Sequence, residues 1–384
     1  MKYYLIAGEA SGDLHGSNLV RELRKKDPAA EIRGWGGDLM QAAGAEIVKH
    51  YRDLAFMGFT EVIRNLPVIL RNIRFCKKDI ESFQPDAVIF IDYPGFNLRI
   101  AGWAKKSGYK TVYYISPQVW AWKESRVRTI RDCIDKMLVI LPFEKAFYQK
   151  WNYAVEYVGH PLVEVISNFK NSEDSRTPPD IIYPGLQKAA PDRPLIALLP
   201  GSRKQEILKK LPVMLEASRS FPDYQFVVAE APGQEDSFYD EILKNYPDTG
   251  RVRNQTYSLL LHARAACVTS GTATLETALF AVPELICYKG SPVSYQIAKR
   301  LIRVKYISLV NLIMDKPVVK ELIQDEMTSG NIVTELKKLL TDPETISRIR
   351  KDYADLKELL VQGGNASEKA AESIVRFCSA SPSR

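Results

Sequence analysis

The chain has 384 residues, with 53 Lys+Arg against 46 Asp+Glu and a formal net charge of +7. Hydrophobic residues make up 46% and charged residues 26%, a globular mix that excludes a disordered or fibrous chain. At roughly 100–200 residues per domain the length suggests two domains, large enough to fold without disulfide or metal staples.

Short apolar runs alternate with helix-length segments almost throughout. The predicted strands, in chain order, are Tyr3–Ala7, Ala87–Ile91, Thr111–Ile115, Met137–Leu141, Leu195–Leu199, Gln225–Ala229, Ala265–Thr269 and Glu284–Tyr288. Strands rich in Val, Ile and Tyr and separated by helices indicate α/β folding, with parallel sheets and crossover helices. The segment Asn171–Pro194 carries five prolines and reads as a linker. The expected organisation is an N-terminal α/β domain over 1–170, the linker over 171–194, a C-terminal α/β domain over 195–345 and a helical tail over 346–384. Two such halves place a cleft at the carboxyl ends of their sheets, where open α/β folds bind ligands.

The five cysteines are scattered without a CxxC pair, which argues against a zinc site or a disulfide framework and fits a reducing, cytosolic setting. The four histidines lack HxH or HxxxH spacing, so no metal site is expected. No stretch approaches the roughly 18–20 apolar residues of a membrane span. The N-terminus reaches Glu9 too soon for a signal peptide. The expectation is a protein that stays inside the cell, with contact to a membrane surface left open.

Five turns carry candidate chemistry. After the first strand comes Ala7-Gly8-Glu9-Ala10-Ser11-Gly12-Asp13. Its glycines admit close backbone approach and its helix N-terminus favours an anion, or else Ser11 or Asp13 serves as an N-cap. It is not GxGxxG, so a dinucleotide fingerprint is absent. Asp92 closes the apolar strand Ala87–Ile91 and is followed by Tyr93-Pro94-Gly95-Phe96-Asn97. A carboxylate in a partly apolar setting has a raised pKa and acts as a base; the alternative is a helix cap or hydrogen-bond anchor. Ser116-Pro117-Gln118-Val119-Trp120-Ala121-Trp122-Lys123 offers either a sugar- or acyl-contacting surface or tryptophans packed under a loop. Leu199-Pro200-Gly201-Ser202-Arg203 offers amides and a guanidinium to a diphosphate, or is a helix-start turn with a solvated arginine. Thr269-Ser270-Gly271-Thr272-Ala273-Thr274-Leu275-Glu276 opens a helix with hydroxyls and amides suited to phosphate, with Glu276 placed for ribose hydroxyls. A capping box ending at Glu276 is compatible with the same turn.

Positive charge is concentrated in two segments. Glu61–Lys78 nets +4 and places Val62, Ile63, Leu66, Ile69, Leu70 and Ile73 on one helical face beside Arg64, Arg71 and Arg74. Lys289–Tyr306 nets +5, so the rest of the chain nets −2. Basic amphipathic segments attract anionic lipid surfaces, and a core helix with a solvated basic face is the alternative. Nucleic acid would also attract this charge, but no recognition motif accompanies it, so no nucleic-acid partner is expected.

Taken together, AGEASGD (Ala7–Asp13), FMGFTEV (Phe56–Val62), Asp92 with Asn97, SPQVWAWK (Ser116–Lys123), LPFEKAFY (Leu141–Tyr148), VGHPL (Val158–Leu162), LPGSR (Leu199–Arg203), TSGTATLE (Thr269–Glu276) and SLVNLI (Ser308–Ile313) resemble the lipid-A-disaccharide synthase family over essentially the full length. The resemblance implies a GT-B architecture of two Rossmann-like domains and an inverting bacterial hexosyltransferase of lipopolysaccharide biosynthesis. UDP-2,3-diacylglucosamine would donate its sugar to 2,3-diacylglucosamine 1-phosphate, giving a β-1,6 disaccharide and UDP. It implies Asp92 as base and Arg203 as the cation beside the diphosphate. Gly201, Ser202, Arg203, Ser270, Gly271, Thr272, Ala273, Thr274, Glu276 and Asn311 would hold UDP. Glu9, Ser11, Asp13, Asn97, Gln118 and Trp120 would lie on the acceptor side. Neither metal nor cofactor is implied. The acylated substrates imply an anionic membrane partner at the cytoplasmic face of the inner membrane, met by the Glu61–Lys78 segment. Such chains can also pair as homodimers through the C-terminal half. Two alternatives stay in view: a UDP-N-acetylglucosamine epimerase or other UDP-sugar enzyme of the same fold, and a binding module without catalysis. A hydride-transfer enzyme is the least compatible with the first turn.

Overall fold

The computed structural model describes all residues except 55–65, 123, 184–192, 292–294, 296–303 and 381–384. The FMGFTEV motif and the expected membrane residues Val62, Ile63 and Arg64 lie outside the described residues, as does the side chain of Leu66.

The first sheet is built from β1 (Lys2–Ala7), β2 (Glu31–Gly36), β3 (Glu46–His50), β4 (Ala87–Ile91), β5 (Lys110–Tyr114), β6 (Lys136–Val139) and β7 (Glu156–Tyr157). Their order is β3-β2-β1-β4-β5-β6-β7, and every pairing is parallel. The period-two alternation of a strand sends Tyr3, Leu5 and Ala7 into one core and Tyr4 and Ile6 into the other. Both faces are covered, which is why β1 and β4 read as unbroken apolar runs. Two of these strands escape a reading by apolar runs. β2 carries the sequence EIRGWG, and a Cβ on its Gly34 would stand 1.9 Å from the Leu5 carbonyl oxygen. Glycine there is what lets β2 lie against β1. β3 is a half-buried edge strand with only two aliphatic residues.

The second sheet contains β8 (Leu195–Leu199), β9 (Gln225–Ala229), β10 (Gly250–Val252), β11 (Ala263–Thr269), β12 (Glu284–Tyr288) and β13 (Glu321–Ile323), in the order β10-β9-β8-β11-β12-β13 and again parallel.

The chain divides into two compact units, Met1–Pro161 with Leu360–Arg384, and Leu162–Leu359. This differs from the expected boundaries at both ends. The helix Pro161–Asn171 begins the second unit, and the final helix Ala366–Ser379 returns to the first, burying Ala370, Ala371 and Ile374 with Leu19, Val20 and Leu23 of the helix Ala10–Lys26. The described part of Asn171–Pro194 is not a free linker. Ile182 exchanges two backbone hydrogen bonds of 2.8 Å with Arg251, so the segment caps the open edge at β10. Because both sheets are parallel, the loops that follow their strands gather at one edge of each unit.

Candidate active site

At the carboxyl edge of the first sheet, Asp92 follows β4. Both Asp92 and Tyr93 hold left-handed backbone, with φ of 44° and 50°. Left-handed conformations in side-chain-bearing residues cost free energy and persist where the surroundings fix them. Here the Asp92 carbonyl accepts from Tyr113 Oη at 2.5 Å and from Asn97 Nδ2 at 2.7 Å, and a Cβ on Gly8 would meet the Tyr93 ring at 2.2 Å. Gly8 thus gives the Tyr93 ring its seat. Burial, then the nearby Glu9 charge, push the Asp92 carboxyl up to about 6, against a small opposing effect of the Tyr93 N–H. Tyr93, not Asp92, caps the following helix Pro94–Lys106. The carboxylate at this edge is poised to take a proton near neutral pH.

The neighbours expected on the acceptor side divide. Glu9 and Ser11 are exposed at the start of the helix Ala10–Lys26, and Glu9 is its N-cap residue without a side-chain cap. Asp13 does not face the edge. It is buried and accepts from the N–H groups of Gly37, Leu39 and Met40, capping the helix Asp38–Ala42. Asn97 is also fully buried, and its amide N–H group reaches the carbonyls of Ile6, Ile91 and Asp92. It fixes the strand ends that carry Asp92, with no free N–H edge for a substrate. Gln118 is exposed. Trp120 is buried and donates from Nε1 to Glu144 Oε1 at 3.2 Å, so the packed-tryptophan alternative holds for it. Glu144, quoted within LPFEKAFY but assigned no task, proves to organise this loop: it also accepts from the N–H groups of Ile140 and Leu141. Burial pushes its carboxyl up to about 7.

On the helix Leu66–Phe83, Ile73 packs with Cys76 and Ile80 against the core, while Leu70 and Phe75 are 45% exposed beside exposed Arg71 and Arg74. Ile69 is half-buried. The core face of this helix therefore takes Ile73 away from the apolar stripe expected to face lipid. Pro67 falls in the first turn. Among the described residues no helix is long and apolar enough to cross a membrane, and no cluster of three or more His, Cys, Asp or Glu is gathered as for a metal ion.

At the carboxyl edge of the second sheet a cavity of about 320 Å³ opens between the turns after β8, β9 and β11. Gly201 and Ser202 line one side, Ser270, Gly271, Thr272 and Ala273 the other, with Glu206, Glu230, Thr256 and Glu276 around them. Gly201 has φ of 115°, and a Cβ there would approach Glu206 Oε2 to 2.8 Å. Gly271 is the N-cap of the helix Thr272–Leu279, and the space where its Cβ would stand is open. The capping-box alternative is not built, because Glu276 lies beyond the third helical position and instead accepts from Tyr257 Oη at 2.8 Å. Burial raises the Glu276 pKa, opposed by that hydrogen bond.

The hydroxyls are partly committed. Thr274 is buried and donates to the Gly271 carbonyl at 2.8 Å, and Ser270 donates to the Ile307 carbonyl at 2.6 Å. What this turn presents to a ligand is therefore mainly backbone N–H and the exposed Thr272. The buried Thr269 Oγ1, by contrast, has no partner among the described residues. Arg203 is 69% exposed and rests 3.3 Å from Glu206, next to Ser202 of the cavity lining. Asn311 is buried outside the cavity lining. Its amide donates to the Val319 carbonyl and Glu321 and accepts from the Val319 N–H, so its hydrogen-bonding groups are engaged within the fold.

Tyr257 and Glu230 were not singled out by sequence. Glu230 is buried and paired with Arg251 and Arg253. Only its position just past β9 could have flagged it.

A family model described as lipid-A-disaccharide synthetase matches residues 3–376. The lipid-A-disaccharide synthase of Geobacter metallireducens is 40% identical, covering 96% of this chain and 94% of the relative. That of Syntrophus aciditrophicus is 41% identical over 96% and 95%, and that of Coxiella burnetii strain CbuG_Q212 is 37% identical over 96% of each. Among solved structures, the UDP-GlcNAc 2-epimerase from Neisseria meningitidis bound to UDP-GlcNAc aligns with a TM-score of 0.67 at 12% identity, over 98% of this chain and all of that one. The calicheamicin glycosyltransferase CalG4 aligns with a TM-score of 0.60 at 16% identity, over 98% of each. At those identities the structures establish the fold alone, the GT-B class of two parallel-sheet α/β units. With sequence matches that run almost from end to end, the chain belongs to the lipid-A-disaccharide synthetase family.

Proposed function

We propose that the protein joins UDP-2,3-diacylglucosamine to 2,3-diacylglucosamine 1-phosphate, forming the β-1,6 disaccharide 1-phosphate and UDP. Family membership over residues 3–376 carries this reading, and Asp92 supplies its chemistry. The Asp92 carboxylate takes the proton of the acceptor 6-hydroxyl as that oxygen attacks the anomeric carbon. The bond from that carbon to the UDP oxygen breaks, and its electron pair leaves on the diphosphate. One in-line displacement inverts the centre. A base with a pKa near 6 is ionised at neutral pH yet basic enough to assist.

Departing UDP is received at the second sheet. The N–H groups of Gly201, Ser202, Ser270, Gly271 and Thr272 and the N-terminus of the helix Thr272–Leu279 favour an anion. Arg203 swings from Glu206 to the phosphates as negative charge develops there. Glu276, oriented by Tyr257, accepts from the ribose hydroxyls. Exposed Leu70 and Phe75, flanked by Arg71 and Arg74, take the membrane-side contact that acylated substrates demand, at the cytoplasmic leaflet.

The test is UDP release by the purified protein in detergent, given the UDP-sugar with and without the acyl acceptor, with mass spectrometry of the lipid. Acceptor-dependent UDP with a tetraacyl disaccharide phosphate is the expected outcome. UDP binding without disaccharide from a folded protein would sink the transferase reading and favour epimerisation of a non-acylated UDP-sugar.

A further inference from the structure

The turn that lines the UDP cavity is held from behind. Ser270 Oγ donates to the carbonyl of Ile307 at 2.6 Å, tying the cavity wall to the segment just before the helix Leu309–Met314. That segment hangs on one carboxylate. Glu321, the first residue of β13, accepts from Ile307 N–H at 3.1 Å, from Ser308 N–H at 2.9 Å, from Ser308 Oγ at 2.8 Å and from Asn311 Nδ2 at 3.0 Å. Asn311 closes the ring by exchanging hydrogen bonds of 2.9 and 3.0 Å with the main chain of Val319. Glu321 is not among the residues that line the cavity.

From this chain of contacts we propose that Glu321 is a positioning residue for the UDP diphosphate, acting through Ile307 on Ser270. The inference rests on the UDP site described above. Its physical basis is the carboxylate's capacity to accept from several donors at once. A glutamine keeps one oxygen but turns an NH2 towards main-chain N–H groups, losing an acceptor where donors converge. The 307–308 segment then loses its anchor, and the Ser270 turn loses the acceptor that fixes its hydroxyl. A residue acting this way alters binding common to substrate and transition state, so it moves KM for the nucleotide sugar and spares kcat.

The experiment is a double-mutant cycle with E321Q and S270A, read as the Kd of UDP by calorimetry and as KM and kcat for both substrates. Melting curves control for folding. E321Q is expected to weaken UDP and raise the donor KM about tenfold, the effect of losing one charge-assisted hydrogen bond. The acceptor KM and kcat are expected to stay near the parent's. In the S270A background the same change is expected to add little, because both variants cut one path. Multiplicative effects, or a lowered melting point with UDP affinity unchanged, would overturn the proposal. Should E321Q not fold, S308A removes only a hydroxyl donor to Glu321 and carries the same cycle with S270A. A parent protein that binds UDP but makes no disaccharide refutes the transferase reading and leaves this inference to the UDP affinities. A parent that turns over normally beside an unaffected E321Q refutes this inference alone.

Discussion

The two units share a parallel-sheet scaffold and carry their candidate site residues at the carboxyl edge of each sheet, yet what they present there differs. In the first, carboxyls with raised pKa values dominate: burial pushes half-buried Asp92 up to about 6 and fully buried Glu144 up to about 7. In the second, the turns after β8 and β11 present main-chain N–H groups and two glycines to a cavity, with exposed Arg203 next to the lining residue Ser202 and with Glu206, Glu230 and Glu276 around them. The scaffold supplies only a rim of loops and helix N-termini. The side chains decide whether that rim holds a proton acceptor or an anion. Transfer of a sugar from a nucleotide needs one of each, and the difference can be tested from either side.

The largest effect is expected on the side of the base. Asp92→Asn keeps the shape of the turn, whose backbone is held by Tyr113 and Asn97, but removes the proton acceptor. Loss of a general base costs about 10²- to 10⁴-fold in kcat. The pH–rate profile gives the sharper readout. In the parent the rate is expected to climb with pH as Asp92 ionises around 6 and then to level. In the variant that limb disappears and UDP affinity stays near the parent's. A folded D92N with near-normal turnover would place the base elsewhere and collapse the contrast between the two edges.

A smaller effect is expected on the anion side. Arg203→Ala removes one exposed cation but leaves the N–H groups of both turns, so binding and departure of UDP are expected to weaken by about ten- to a hundredfold, the range of one charge-assisted hydrogen bond. The loss belongs in kcat if Arg203 leaves Glu206 only as charge develops, and in KM if it already grips the bound diphosphate. Steady-state kinetics with varied donor separates the two. An R203A enzyme with unchanged kcat and KM would show that main-chain N–H groups suffice.

How much of this was legible beforehand follows the same division. Strands buried on both faces announce themselves as apolar runs, and all eight predicted strands are present in the structure with small shifts at their ends. The missed ones are edge strands or, like β2 with Gly34, strands whose pairing depends on a residue that no apolar count rewards. At the site, the position of Asp92 could be read because a carboxylate after an unbroken apolar strand is conspicuous. The tasks of Asp13, Asn97, Trp120 and Asn311 could not, since each is tied to partners in other elements of the fold. Motif membership marks a residue as needed without telling whether it touches a ligand or holds the residue that does. Glu144, Tyr257 and Glu321 are the complementary case, residues whose importance lies wholly in contacts the sequence does not display.

The smallest effect concerns stability. It follows from a histidine pair that the catalytic reading leaves unused. Burial lowers the pKa of His15, on the helix after β1, from 6.5 to about 4; His160, after β7, falls to about 3, with repulsion from His15 adding to its own burial. The unfolded chain takes up these protons from about pH 6.5 downward, while the folded chain resists until about 4. Their contribution to stability is therefore complete above 6.5 and is lost as pH falls through that window. Asp92 and Glu144 act in the opposite sense, since raised carboxyl pKa values favour the folded state as pH falls. The parent's net slope mixes both, so the informative quantity is a difference between proteins. His15→Gln removes one of the acid-sensitive groups and also relieves the repulsion on His160. Between pH 7 and pH 5 its melting temperature is expected to drop less than the parent's, by a few degrees, corresponding to about 1–2 kcal/mol. Parallel melting curves for the two proteins across that range would mean that His15 reaches solvent when protonated and adds nothing to the acid response, which would then be set by His160 against the carboxyls.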